Sequence, residues 1–309
     1  MHTIFGTLSA ASLAFLLTSP VLAQGIAGAV APDAKVELVQ EGYVFTEGPV
    51  GAADGGLYFT DNRANKILRL DPAGNISTVH ENTTNANGLV LTKEGDILSA
   101  EGVGKRISKR GRSGGEAVTL TNSFGGQPFM APNDLFADAK GGIYFTDPGP
   151  RPVVPGRKTF VYYLAPGAKD PIVVDDQLGR PNGLILTADG RTLLVNDSLV
   201  APFYAYDVEP NGSVKNKRTF ATLRDIDAGK ESGADGMAID TAGRVYVASV
   251  PGVQVFDAKG EYLGTIKTPR QSSNVAFAGA DRSTLYITAR EGLYRIKTQA
   301  QGVKRDAGK

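Results

Sequence analysis

Six oxygen-bearing side chains recur at one position of a repeated motif. In each copy, a polar residue is followed by a small residue, an apolar residue, a turn and an apolar strand. The six channel residues, as we call them, are Glu47, Asn87, Asn133, Asn182, Asp235 and Asn274. Carboxylate and amide oxygens are the ligands that Ca²⁺, Mg²⁺ and Mn²⁺ prefer. The repeated position therefore predicts one divalent cation site, if the fold brings these side chains together.

The acidic channel residues are the strongest argument for a cation. Two ionised carboxylates that lie close together repel, and the pKa of one normally rises. A divalent cation removes that repulsion, while amide oxygens and water complete its coordination shell. The alternative is that Asn-Gly and Asp-Gly are simply turn formers. That alternative fits Asn87 and Asn274 best and Glu47, which precedes Gly-Pro, least.

Other catalytic chemistry has little support. The chain has no cysteine, and of its two histidines only His80 lies beyond the N-terminal segment. Thiolate catalysis and cysteine-ligated zinc are excluded, although Zn²⁺ is an alternative ion for oxygen ligands. The segment GRSGG at 111–115 matches the G-x-S-x-G pattern of serine hydrolases. That pattern requires a preceding strand, a following helix and a downstream histidine, so we do not expect catalysis by Ser113.

The spacing of the channel residues predicts the fold that must position them. The copies recur roughly every 40 to 50 residues, as the four-stranded blades of a propeller do. Alternating apolar runs such as KILRLDP at 66–72 follow the copies and are typical of half-buried strands. No segment beyond the N-terminus has helical periodicity. We predict an all-β fold, a six-bladed β-propeller of four-stranded antiparallel blades forming one domain over residues 24–309, against the alternative of a β-sandwich.

The ends of the repeat predict how the propeller closes. The strand KVELVQ, Lys35 to Gln40, precedes the first copy, and the last copy is short. We expect this N-terminal strand to complete the last blade and so cover an exposed sheet edge. Equivalent inner-strand residues of radial blades meet at one end of the central channel, so the channel residues should converge there. The basic run from Lys105 to Arg112 is interpreted as a solvated strand edge.

Residues 1–23 form an apolar segment that ends in Val21-Leu22-Ala23. This ending is typical of a signal-peptide cleavage site. We predict a secretory signal cleaved after Ala23 and export to the periplasm or the extracellular medium. An uncleaved membrane anchor is the alternative, because no Lys or Arg precedes the apolar run. No membrane association is expected after cleavage, and the formal charge of +1, without a basic stripe, argues against nucleic-acid partners.

The motifs around the channel residues resemble those of the SMP-30, gluconolactonase and luciferin-regenerating enzyme family, which includes regucalcin. They are Glu47-Gly-Pro, Pro132-Asn133-Asp134 followed by YFTDP at 144–148, Pro181-Asn182-Gly183, and Ala234-Asp235-Gly236-Met237. The gluconolactonase branch is the most similar, and diisopropylfluorophosphatase is a more distant relation. Because the motifs occur in order across nearly the whole chain, the resemblance is specific.

The resemblance implies roles for individual residues. Glu47, Asn182 and Asp235 would bind one divalent ion, Ca²⁺ or alternatively Mg²⁺, Mn²⁺ or Zn²⁺. Asp235 would also donate or accept the proton. Asn133 would lie beside the ion and contact either the metal or the substrate, and its neighbour Asp134 is expected to contact the substrate. From the repeat, Asn87 and Asn274 are further candidates for the channel ring.

Three departures from the family pattern affect the expected substrate. Gluconolactonase-like sequences usually read Asn-Ser-Pro-Asn-Asp where this chain has MAPND at 130–134. Some members place an Arg two residues before the Asn of the PND motif to hold sugar hydroxyls, and Ala131 stands there in this chain. We expect Arg151, which follows the YFTDP motif, to substitute for it. The Glu-His pair common in the second blade is Glu101-Gly102 here. These changes affect substrate identity rather than reaction class.

The expected function is hydrolysis of a small lactone, typically a sugar lactone. The ion would polarise the ester carbonyl, and Asp235 would accept a proton from the attacking water. Two alternatives use the same metal site: hydrolysis of phosphotriesters, and a non-enzymatic role as a metal-stabilised binding propeller. The expected partner is a small-molecule lactone; protein partners are not predicted.

Overall fold

The computed structural model describes residues 21–22 and 25–304, and these residues form an all-β fold of 27 strands. Before the first blade the chain forms β1 (Val21–Leu22) and β2 (Lys35–Glu41). Blades 1 and 2 contain β3 (Thr46–Gly51), β4 (Leu57–Asp61), β5 (Lys66–Leu70), β6 (Ile76–Glu81), β7 (Ala86–Leu91), β8 (Ile97–Glu101), β9 (Arg106–Arg110) and β10 (Val118–Thr121). A small hairpin follows, formed by β11 (Ser123–Phe124) and β12 (Gln127–Pro128).

The other four blades complete the propeller. Blades 3 and 4 contain β13 (Leu135–Ala137), β14 (Ile143–Asp147), β15 (Phe160–Leu164), β16 (Ile172–Asp175), β17 (Pro181–Leu186), β18 (Thr192–Asp197), β19 (Pro202–Val208) and β20 (Val214–Thr222). Blades 5 and 6 contain β21 (Met237–Ile239), β22 (Val245–Ser249), β23 (Gly252–Phe256), β24 (Tyr262–Ile266), β25 (Asn274–Ala278), β26 (Thr284–Ala289) and β27 (Gly292–Lys297). The predicted six-bladed propeller of four-stranded antiparallel sheets is confirmed.

The sixth blade joins the two ends of the chain. Its strand order is β1-β2-β27-β26-β25, so β2 lies outside β27 and pairs with it antiparallel. In the register of this pair, Glu37 lies opposite Arg295 and Leu38 opposite Tyr294. The sheet edge that β27 would otherwise expose is therefore covered by the N-terminal strand.

The core lies between neighbouring blades. Leu57 and Phe59 of blade 1 pack with Ala276, Ala278 and Tyr286 of blade 6, for example. The inner two strands of each blade are almost entirely buried, the third strand is mostly buried, and the outermost strand is mostly exposed or half-buried. Burial on both faces explains why the inner strands read as continuous apolar runs.

The basic run in blade 2 is not a solvated edge, and that interpretation was wrong. Residues 106–110 form β9, an internal strand between β8 and β10. The Arg110 side chain is 4% exposed and forms an ion pair with the buried Glu101. A carboxylate at the end of β8 supplies the partner that allows an arginine to be buried there.

The predicted signal segment lies outside the described residues except for Val21 and Leu22, which pair with β2. Cleavage after Ala23 stays a prediction. None of the described residues belongs to a helix long and apolar enough to cross a membrane.

Candidate functional site

A cavity of about 1310 Å³ opens where the inner strands begin. Five of the six channel residues line it, namely Glu47, Asn87, Asn133, Asn182 and Asp235. Each comes from a different blade and lies at or just before the start of an inner strand. The structure therefore brings these five side chains to one end of the channel, as the repeat predicted.

The Glu47 carboxylate accepts hydrogen bonds from two residues. It lies in β3, is 4% exposed, and accepts a hydrogen bond at Oε2 from the Gly48 backbone N–H at 3.1 Å. The Asn274 Nδ2 donates to the same oxygen at 3.3 Å. Asn274 is buried and does not line the cavity, so it orients Glu47 from within the channel.

Asn182 presents an oxygen without a partner. Its Nδ2 donates to Ser198 Oγ at 3.0 Å, which fixes the orientation of the amide. Its Oδ1 is buried and accepts no hydrogen bond within the part of the chain that the structure describes. A buried acceptor in this state costs free energy, so this atom indicates a ligand that binds at Oδ1.

Asp235 lies in an environment that disfavours a lone negative charge. Burial, followed by the nearby carboxylates of Glu47 and Asp134, raises the pKa of Asp235 well above its usual range. Arg180 and the Asn182 side chain act in the opposite direction. This is the electrostatic conflict that the sequence predicted, and a bound cation would relieve it.

Glycines allow successive channel residues to approach each other. A Cβ at Gly48 would lie 2.0 Å from the Asn87 carbonyl oxygen, and one at Gly183 would lie 2.1 Å from that of Asp235. Gly88 and Gly236 are confined in the same way, against Asp134 and Asn274. In each case the obstructing group belongs to the following blade, so the small residue of the motif is required for contact between blades.

Acidic residues at the ends of second strands hold the loops that lead to the channel residues. Asp197, which ends β18, accepts hydrogen bonds from the backbone N–H groups of Gly179 at 2.6 Å and Arg180 at 3.1 Å. Asp147, which ends β14, accepts from Met130 at 2.8 Å and Ala131 at 2.7 Å. These bonds fix the loops that precede Asn182 and Asn133.

The other predicted site residues are placed differently. Asp134 is buried and does not line the cavity, and its Oδ1 accepts a hydrogen bond from the Leu135 N–H at 2.9 Å. Arg151 lines the mouth and forms an ion pair with Glu231 at 2.8 Å. Ser113 lies in the turn between β9 and β10, and His80 binds the Gly111 carbonyl at 2.8 Å, both outside the cavity lining.

Arg180 was not predicted to be a site residue from the sequence. This side chain lines the cavity although it is only 8% exposed. Burial, followed by the nearby positive charge of Arg151, lowers the pKa of its guanidinium. Its position directly before Pro181-Asn182 was the available signal. The hairpin β11–β12, which carries Gln127 and Pro128 to the cavity, was also missed because its strands are only two residues long.

The residues present fit a divalent cation of the hard type. Within residues 21–22 and 25–304, no three His, Cys, Asp or Glu side chains form a metal-binding group. The candidate set instead combines two carboxylates, Glu47 and Asp235, with the unpartnered amide oxygen of Asn182. Mixed carboxylate and amide oxygens are suited to Ca²⁺, Mg²⁺ or Mn²⁺.

Comparison with known proteins identifies the family of the chain. A sequence model of the SMP-30/Gluconolactonase/LRE-like region matches residues 45–291. The chain is 27% identical over 293 residues to a gluconolactonase of Zymomonas mobilis, covering 86% of this chain and 82% of that protein. It is 27% identical over 256 residues to pentonolactonase XacC of Haloferax volcanii, covering 80% and 81%. The solved structure of a gluconolactonase from Xanthomonas campestris has a TM-score of 0.79 and 26% identity, covering 91% of this chain and 98% of that one. The chain therefore belongs to the SMP-30/gluconolactonase/LRE-like family.

Proposed function

We propose that this protein is a metal-dependent lactonase that opens a small sugar lactone. The observation that carries the proposal is the set of Glu47, Asn182 and Asp235 on the wall of one cavity. Relatives that cover most of the chain are a gluconolactonase and a pentonolactonase. A cavity of about 1310 Å³ has room for a sugar lactone together with water.

The cation site would be formed by Glu47, Asn182 and Asp235, with the Asn182 Oδ1 as the amide ligand. A divalent cation held there supplies Lewis-acid polarisation of the lactone carbonyl. Asp235 accepts a proton from the attacking water at a carboxylate oxygen. Asn133, which lines the same cavity, orients the substrate through its amide. Ring opening forms a bond between the water oxygen and the carbonyl carbon and breaks the bond between that carbon and the ring oxygen. Asp235 returns its proton to the ring oxygen, which leaves as a hydroxyl.

Metal dependence is tested by stripping and refilling the protein. Residues 24–309 are purified, treated with chelator and refilled in turn with Ca²⁺, Mg²⁺, Mn²⁺ or Zn²⁺. Hydrolysis of an aldonolactone panel is followed by pH-stat, with phosphotriesters as a second panel. We expect lactone hydrolysis only after refilling. Stoichiometric metal binding with no lactone hydrolysis would contradict the proposal.

Two variants test the residues. We expect Asp235→Asn to lower kcat by about a hundredfold or more, the usual effect of losing a general base, and Glu47→Gln to weaken metal binding at least tenfold in isothermal titration calorimetry. Asp170→Asn and Glu94→Gln change exposed acids outside the cavity lining and are matched controls. Full activity of a folded, metal-loaded Asp235→Asn protein would refute the catalytic assignment.

We also propose export with cleavage after Ala23, on the basis of the apolar segment and its Val21-Leu22-Ala23 ending. The N-terminal residue of the protein from cell fractions tests this. A mature protein that begins at Gln24 and lies outside the cytoplasm supports the proposal. Retention of residues 1–23 in the membrane fraction would contradict it.

A further inference from the structure

Positive charge is concentrated in the cavity. Its lining has six cationic side chains, Arg63, Lys105, Arg151, Arg157, Arg180 and Arg290, and three acidic ones, Glu47, Glu231 and Asp235. The chain as a whole has a formal charge of only +1. Two of the three acids belong to the proposed cation site, so a bound divalent ion makes the cavity still more positive. A cleft lined by one sign of charge concentrates ligands of the opposite sign.

Most of the exposed cations already have partners. Arg151 is paired with Glu231. Arg63 and Arg290 lie over the ring of Phe45, with their Cζ atoms 4.8 and 5.5 Å from its centroid. Arg290 also donates to Gln271. These contacts place charge at the mouth but leave few donors directed at a bound molecule.

Arg180 differs from the exposed cations in its burial and its partners. Its Nη1 donates to the carbonyl oxygens of Gly149 at 3.1 Å and Pro148 at 3.5 Å. In the described part of the chain, no Asp or Glu oxygen lies within the 4.0 Å of an ion pair with its guanidinium. A guanidinium has five N–H donors, so two carbonyls on one nitrogen leave donors available. A buried charge without an ion pair is costly, and an anionic ligand would compensate for it.

Hydrogen bonds fix the backbone of Arg180 close to the proposed cation site. Asp197 holds the Gly179 and Arg180 N–H groups, and Asn182 follows two residues later. Arg180 is also close enough to Asp235 for their charges to interact. A substrate whose ester carbonyl faces the cation site could therefore reach Arg180 with a second group.

We propose that the substrate is an anionic lactone, which carries a carboxylate or phosphate besides its ring ester, and that Arg180 binds that acidic group. The inference rests on the proposed lactonase activity and specifies its substrate class. Arginine is the residue best suited to this task because its planar N–H pairs match carboxylate and phosphate oxygens.

Substrate selectivity provides the main test. The metal-loaded protein is assayed on neutral gluconolactone, on glucarolactone, which carries a free carboxylate, and on gluconolactone phosphorylated on its terminal hydroxyl. We expect kcat/KM to be at least tenfold higher for one anionic lactone than for the neutral one, and the preferred anion identifies the group. In Arg180→Gln this ratio should fall at least tenfold, and Arg180→Lys should restore part of it.

Two controls separate binding from structure. Arg191→Gln removes an exposed positive charge at the opposite end of the β17–β18 hairpin and should leave the ratio unchanged. Calorimetric titration of Arg180→Gln with the preferred metal shows whether Asn182 still binds it. If Arg180→Gln weakens metal binding and lowers activity on all three lactones equally, Arg180 is a positioning residue and the proposal is overturned.

Two further outcomes are decisive. An unchanged ratio in Arg180→Gln, with weaker inhibition by the product gluconate, would assign Arg180 to the carboxylate that ring opening creates and would also overturn the proposal. If no lactone is hydrolysed, the proposed function fails, but the anion site is tested independently with glucarate and gluconate as calorimetric probes. Tighter binding of glucarate that is lost in Arg180→Gln supports the anion site in that case, and equal binding refutes it.

Discussion

At the scale of single residues, the clearest feature is an acceptor without a donor. Asn182 uses its Nδ2 on Ser198 and leaves Oδ1 buried with no hydrogen bond in the described structure. A protein gains nothing in stability from such an atom. We attribute its position beside two carboxylates to the proposed cation site rather than to folding. The unpartnered oxygen is therefore a stronger argument for that site than the Asn-Gly sequence, which also suits a turn.

The variant Asn182→Leu separates these two roles. Because Leu has a similar volume and no unsatisfied oxygen, we expect the metal-free protein to unfold at an equal or higher urea concentration than the parent. Metal affinity should fall at least tenfold. Asn211→Leu, at an exposed turn, is the control for a change of Asn to Leu. Unaltered metal binding in Asn182→Leu would show that Oδ1 is not a ligand.

A second feature at this scale is the buried ion cluster of blade 2. Burial opposes the charged form of Glu101, but hydrogen bonds from Ser108, Thr84 and Arg106 and the charge of Arg110 outweigh it and lower its pKa. Arg106 Nε donates to Glu101 Oε2 at 2.6 Å. A lowered pKa means that the folded state favours the carboxylate, so its stabilisation is present above the ordinary Glu pKa and is lost as pH falls.

Glu101→Gln should therefore be destabilised in a pH-dependent manner. At neutral pH we expect a loss of about 3 kcal/mol, because Arg110 stays buried without its partner. The difference from the parent should shrink as pH falls below about 4, the usual range of a glutamate. Urea unfolding at several pH values measures this. As a control, Asp96→Asn breaks the partly exposed pair with Lys109 and should cost less than about 1 kcal/mol. A pH-independent loss of stability in Glu101→Gln would show that the Glu101 carboxylate does not have this role.

At the scale of elements, contacts between blades determine where the channel residues lie. The glycine after a channel residue faces the channel residue of the next blade, and no larger side chain fits at Gly48, Gly88, Gly183 or Gly236 without moving that neighbour. The obstructing atoms at Gly183 include the backbone carbonyl of Asp235, which a side-chain rotation cannot move. The glycine of one motif copy therefore contacts the polar residue, or its neighbour, of the next copy across the boundary between two blades.

Gly183→Ala tests this relation. The added methyl group should displace Asp235, at a cost of about 1–3 kcal/mol for overpacking, and should also weaken metal binding. Gly190→Ala, at the turn of the same hairpin, has open space and a φ of 69°, so it carries backbone strain of about 1–2 kcal/mol without an overlap. Thermal unfolding and metal titration compare the two. If Gly183→Ala and Gly190→Ala bind the metal with equal affinity, the link between Gly183 and Asp235 is refuted.

The fold was predictable because the sequence repeats. The polar residues, turns and apolar strands recur in the same order in each copy, and this order, as well as the composition, indicates the blades of a propeller. Features set by side-chain direction were not predictable. Asp134 follows Asn133 directly but points to Leu135, and Arg110 belongs to a charged run yet is buried by a partner nine residues earlier. Arg180 was missed because an arginine before a proline has no pattern of its own; only three-dimensional placement shows its burial.

At the scale of the whole molecule, the propeller closes by pairing the ends of the chain. β2 adds to β27, and the segment before it packs through Ile26, Ala29 and Val30 into the core between blades 5 and 6. Closure of this kind leaves the last blade incomplete until both ends of the chain have been made. Contacts so distant in sequence are typical of slowly folding proteins.

Removal of this closure should be costly. We expect a protein that starts at residue 42 to unfold at a lower temperature than one that starts at residue 24 and to self-associate through the exposed edge of β27. Glu37→Gln, which breaks only the exposed pair with Arg295 at 3.0 Å, should change the unfolding free energy by less than about 1 kcal/mol. Calorimetry and light scattering make the comparison. A monomeric, equally stable truncated protein would show that β27 needs no cover.

The same closure has a consequence for protein engineering. The Gln299 N–H donates to the Ala29 carbonyl at 2.9 Å, so the two ends of the described chain lie side by side. A short peptide could join them, and new termini could open between Ala73 and Gly74, an exposed hairpin of blade 1. Such a circular permutant would keep the order of blades around the channel. The proposed cation site should survive, because it depends on which blades are neighbours and not on which blade is made first.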